Sequence, residues 1–71
     1  MSLPDSLRRF RNEFKLTQKA VANSIGMRET SYSRYERGER EPAYKQLIKL
    51  ADTYRISLDY LVGRSDKPSL Q

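Results

Sequence analysis

The chain has 71 residues with 14 lysines and arginines against 9 acids, a net charge of +5 and a pI near 9.8. It is 37% hydrophobic and 32% charged, the balance of one small folded domain whose core is too thin for a large ligand cavity. Cysteine and histidine are absent, which removes disulfides, zinc fingers, thiol nucleophiles and the usual general base; no apolar run reaches membrane-span length and no signal peptide is visible.

The elements follow in chain order from hydrophobic period and punctuation. Met1 to Leu3 are given no functional weight. The first predicted helix runs from Pro4 to Phe14, with Leu7, Phe10 and Phe14 on one stripe, Pro4 suited to a first turn and Asp5 to the positive end of the helix dipole. The second runs from Gln18 to Ser24 behind a Thr17 cap, turning Val21, Ala22 and Ile25 inward, and Gly26 closes it. The third runs from Glu29 to Arg37 and stops at Gly38, and Pro42 keeps the following loop from becoming helix. The fourth spans Tyr44 to Tyr54, with Leu47, Ile48, Leu50, Ala51 and Tyr54 as apolar positions. The fifth, Leu58 to Val62, is capped by Ser57 and stopped by Gly63. This predicts an all-α domain over 4–63 and a fraying tail over 64–71.

A turn of about 100° per residue sorts the third helix. Tyr32 and Tyr35 share one side, flanked by Ser31 and Glu36. Thr30, Ser33, Arg34 and Arg37 gather on the other, with Glu29 at its edge. The bland alternative is that these arginines are merely solvated charges. Against it stands the context: a helix closed by glycine, a turn of about three residues, then a second helix with small hydroxyls and long donors outward. That is the spacing of a helix-turn-helix, whose second helix enters a DNA major groove. Tyr44, Tyr54 and Tyr60 read as packing residues. Arg8, Arg9 and Lys15 form a candidate phosphate patch, and Leu58, Tyr60, Leu61 and Val62 a candidate dimer seam.

The stretch LTQKAVANSIGMRETSYSRYERGEREP, continued by LIKLADTYRISLDYLVG, resembles the lambda-repressor-like helix-turn-helix family of Xre and Cro type. The resemblance covers about Leu7 to Gly63. It implies a compact five-helix fold with no cofactor, no metal and no enzymatic activity. It also implies sequence-specific binding of double-stranded DNA, as a repressor and homodimer on a pseudo-palindromic operator, in a bacterial or phage-encoded, cytoplasmic, nucleoid-associated protein with no membrane partner. Residue by residue, it makes Gln18 a phosphate contact and Glu29, Thr30 and Arg34 base readers. Arg28, Ser33 and Arg37 become neighbouring contacts to bases or phosphate, and Arg11 and Glu36 an ion pair between the first and third helices. The chain departs from the family pattern at Ala20, Arg28 and Ala43, where capping side chains are usual. It also departs at Glu29, whose acid suits only a cytosine amino group, and at Tyr32, where a branched aliphatic is usual. Two other classes compete: an antitoxin-like or protein-interaction module on the same fold, and an enzyme. The enzyme lacks any spaced nucleophile and base. The dimer is expected to be partly monomeric in free solution, with DNA completing it.

Overall fold

In the computed structural model, residues 2–67 are described and contain five helices and no strand. They are α1 (Leu3–Glu13), α2 (Gln18–Ser24), α3 (Glu29–Glu36), α4 (Tyr44–Tyr54) and α5 (Leu58–Leu61). Helix α3 packs against both α1 and α2, and α5 against α4 and α1.

The chain start is part of the fold. Ser2 is the N-cap of α1, its hydroxyl accepting from the Asp5 N–H at 3.3 Å, and Leu3 packs against the core. Sequence alone assigns neither residue a functional role. Thr17 and Ser57 cap α2 and α5 in the same way, accepting from Ala20 and Tyr60 at 3.0 Å each. Helices α3 and α4 begin at Arg28 and Ala43 with no side-chain cap, which costs each about 1 kcal/mol against a serine or threonine.

Every helix ends in a left-handed turn that returns two backbone N–H groups to the last helical carbonyls. Gly26, Gly38 and Gly63 supply the positive φ after α2, α3 and α5. After α1 and α4 the position falls to Lys15 (φ 56°) and Arg55 (φ 55°), which carry a Cβ into a region glycine tolerates better.

Leu7, Val21, Ala22, Ile25, Leu50 and Leu61 are closed off from solvent, and Tyr32, Tyr35 and Tyr54 join them. Each fully buried aliphatic contributes about 1.5–3 kcal/mol by leaving water. Phe10 lies between Tyr54 and Tyr60, with ring centroids at 5.7 and 5.5 Å.

Several sequence expectations are corrected here. Phe14 is 49% exposed: it is the C-cap of α1, and its ring meets Tyr54 in a T-shaped pair with centroids 5.1 Å apart. Tyr44 is 67% exposed and Ile48 is also exposed. They lie one turn apart at the start of α4, while Leu47 beside them packs against the core. Leu61 is fully buried, so it cannot serve a dimer seam; Leu58 and Tyr60 are half-buried against the core and Val62 is half-buried as the α5 cap. The first tail residues are tied down, Arg64 and Ser65 N–H both donating to the Asp59 carbonyl; residues 68–71 lie outside the described part.

Candidate nucleic-acid interface

The angle between α2 and α3 is set by Gly26. Its φ of 73° lets the Met27 N–H return to the Ala22 carbonyl at 2.8 Å, and α3 begins two residues later. Ala22 and Ile25 of α2 are buried, as are Tyr32 and Tyr35 of α3. With that side inward, Arg28, Glu29, Thr30, Arg34 and Arg37 are left exposed.

Under this surface lies a buried polar cluster. Glu36 is 1% exposed. Arg11 Nε donates to Glu36 Oε2 at 2.7 Å and Arg11 Nη2 to Oε1 at 3.0 Å. Arg11 Nη1 also donates to the Leu16 carbonyl at 3.1 Å. One side chain therefore ties α1, the α1–α2 loop and α3 together. Burial alone pushes the Glu36 carboxyl up, but the hydrogen bonds from Arg11, with the nearby Tyr32 phenol and the Gln18 amide adding, outweigh it and hold the group below the ordinary carboxylate value. The Arg11 guanidinium is raised chiefly by its bond to Glu36. Burial, reinforced by the nearby Glu36 charge, pushes the Tyr32 phenol far up. Tyr54 is pushed up to about 12, first by burial, with Tyr32 and Arg11 opposing and Glu36 adding. Neither phenol oxygen meets hydrogen-bond geometry with a neighbour, so their tie to Glu36 is one of proximity and charge.

Two predicted DNA contacts sit differently. The Gln18 amide faces inward and donates to Glu36 Oε1 at 3.1 Å, making it a third member of the cluster. Ser33 is 8% exposed; its hydroxyl donates to the Thr30 carbonyl at 2.9 Å and accepts from Arg37 Nη1 at 3.3 Å. It lies beneath Arg37 instead of standing outward, because a serine in mid-helix bonds back to the preceding turn. Arg37 itself forks onto Glu39, with Nε to Oε2 at 2.8 Å and Nη2 to Oε1 at 3.1 Å. The Arg34 side chain has no hydrogen-bond partner among the described residues, although its charge reaches Glu39.

The candidate phosphate patch divides. Arg8 donates to Asp5 and to the Glu36 carbonyl at the end of α3. Arg9 lies over the Phe10 and Tyr60 rings, 4.7 and 5.8 Å from their centroids. Lys15 is the left-handed residue that ends α1. Sequence reasoning missed three roles: Gln18 as an internal donor, Arg8 as a cap of α3 and Glu39 as the acceptor for Arg37. The spacing of Arg37 and Glu39 about Gly38 was the available signal for the last. Among the described residues no group of three or more potential metal ligands gathers, and no helix is long and apolar enough to cross a membrane.

This five-helix arrangement, with its glycine-turned helix pair, defines a helix-turn-helix protein of lambda-repressor-like fold. The chain belongs to the Helix-turn-helix family, whose sequence profile matches residues 7–61, and within it to the Xre and Cro type. It is 40% identical over 68 residues to the uncharacterized HTH-type transcriptional regulator YqaE of Bacillus subtilis, covering 94% of this chain and 59% of that one. It is 41% identical over 64 residues to the cryptic phage CTXphi transcriptional repressor RstR of Vibrio cholerae, covering 90% and 57%. The chain thus spans less than two thirds of the length of these curated relatives. Among solved structures, the P22 c2 repressor in complex with a synthetic operator superposes with a TM-score of 0.84 at 28% identity, covering 92% of this chain and 98% of that one.

Proposed function

We propose that this chain is a sequence-specific, double-stranded DNA-binding transcriptional regulator acting as a repressor, with α3 inserted in the major groove. The observation that carries the reading is the exposed set Thr30 and Arg34 on α3 and Arg37 at its C-cap, presented by the Gly26 turn and braced from beneath by the Arg11–Glu36 pair. Arg34 can present two donors to guanine O6 and N7. Glu29 and Thr30, in the first turn, reach adjacent base edges, and Arg28 and Arg37 approach phosphate at the two ends of the helix. Gln18 contributes by holding Glu36. The similarity to proteins named as repressors, and to one solved with its operator, supports this reading. The protein works in the cytoplasm as a homodimer, weak in free solution and completed by a pseudo-palindromic operator. The half-buried Leu58, Tyr60 and Val62 form the seam.

A second reading, a protein-interaction module, is favoured by one observation, the exposed Tyr44 and Ile48 on α4. Selection of bound sites from random duplex DNA separates the two. A regulator yields a dyad of two half-sites, and Arg34→Ala loses about 1–3 kcal/mol on that site while relaxing one base position. An equal loss on every sequence would make Arg34 a phosphate contact. Absence of any enriched site, with no association even at low salt, would leave the interaction module standing.

A further inference from the structure

Residues 28–41 carry four arginines and four glutamates, so the segment that presents the reading helix adds nothing to the chain's net charge of +5. Glu36 is spent internally on Arg11. Glu39 is placed by the backbone. Gly38 turns left-handed at φ 74°, and the Glu39 N–H returns to the Arg34 carbonyl at 2.9 Å. The chain therefore folds back over the end of α3. The Glu39 carboxylate meets Arg37 side-on through both oxygens, at 2.8 and 3.1 Å, while Arg37 Nη1 donates to Ser33 Oγ at 3.3 Å. Three of the five N–H donors of a guanidinium are thereby engaged. Two oxygens sharing one negative charge are also what a phosphate offers such a fork.

We infer that Glu39 is an internal competitor for DNA phosphate at Arg37, setting the sequence-independent part of the affinity. The inference rests on the DNA-binding reading above. In the free protein Arg37 is neutralised before it meets a duplex. A phosphate gains the side-on fork of Arg37 only when the pair opens, and the released carboxylate then lies close to the backbone and is repelled by it. Both side chains are about half exposed, 55% and 54%, so the pair is weak enough to open. The effect is the same on every sequence. Glu39 governs how much salt the complex tolerates, and the Arg34 side chain, which makes no hydrogen bond to the Glu39 carboxylate, is left to the bases.

The test uses the 71-residue chain as wild type, E39Q, E39A and E39Q/R37A. Binding is followed by fluorescence anisotropy on a duplex bearing the selected site and on an arbitrary duplex of equal length, at salt between about 50 and 200 mM. E39Q and E39A should bind both duplexes more tightly by similar factors. The slope of log K against log salt should steepen by about 0.9, an additional loss of about 3.5-fold over a fourfold rise in salt. Adding R37A to E39Q should erase the gain. If E39Q binds unchanged, binds the selected site more weakly, or keeps its gain without Arg37, the inference is overturned while the DNA-binding reading survives. If the wild type binds neither duplex at any salt, that reading falls and takes the inference with it.

Discussion

Two arginine–glutamate forks sit at the C-terminal end of α3, one on its last residue and one on its cap, with nearly the same geometry. Arg11–Glu36 closes at 2.7 and 3.0 Å, and Arg37–Glu39 at 2.8 and 3.1 Å. They differ in surroundings. Glu36 has a side chain 2% exposed, whereas Glu39 is 54% exposed. A buried fork has no water to replace a lost partner, so it acts as a brace. An exposed fork exchanges freely with water and ions, so it can open during binding. Matching bond lengths therefore say little about strength, because solvent decides what happens when the bond is broken.

The comparison is broken most severely by Arg11→Met, which strands the Glu36 charge in the core. A loss of roughly 4 kcal/mol is expected, near the whole stability of many small domains, and is read from urea unfolding. Glu36→Gln should lose less, about 3 kcal/mol, because the stranded Arg11 side chain is 18% exposed and can recover some hydration. An equal or inverted order would show that burial does not set the cost.

A pH series sharpens the contrast. The folded Glu36 value lies below the unfolded one, so its contribution is complete above about pH 4.3 and is lost as pH falls through the folded value. Tyr32 and Tyr54 act in the opposite sense. Their folded values are raised, so their contribution is complete below about pH 10 and is lost as pH climbs towards 12 and beyond. Thermal melts across both limits should fall at each end, and Tyr32→Phe should soften the alkaline fall. The smallest effect belongs to Arg37→Ala: the melting temperature should stay where it was, since the pair it breaks is solvated on both sides.

The sequence carried the helices to within a residue at each end, because Thr17, Gly26, Gly38, Ser57 and Gly63 are local signals that act through the backbone alone. It carried the inward direction of Tyr32, Tyr35 and Glu36, because a helix wheel needs only the period. It failed where a neighbour decides. Ser33 lies on the outward side of the wheel but under the stem of Arg37. Gln18 opens α2, where a side chain can turn towards solvent or inward, and only the position of Glu36 selects the inward choice. Tyr44 and Ile48 have the right period for a buried stripe, yet both stay exposed while Leu47 between them packs against the core. Leu61 belongs to so short a helix that its pattern could not rank it above Leu58 or Val62 as core. At Ser2 and Leu3, two residues set aside from sequence become a cap and a packing contact once α1 has a core to lie on.

The brevity of α3 has a consequence in information. Its 8 residues make a rod about 12 Å long. At about 3.4 Å per base pair, such a rod lies alongside roughly three to four pairs. Full discrimination at each pair is two bits, so in the proposed DNA-binding role one α3 would hold an address of about 7 bits, met by chance about once in every hundred or so positions of random DNA. A second copy doubles the address to about 14 bits and makes a chance match roughly a hundredfold rarer. On the proposed DNA-binding reading, the eight residues of α3 thus set an upper limit on what a single copy of this helix distinguishes.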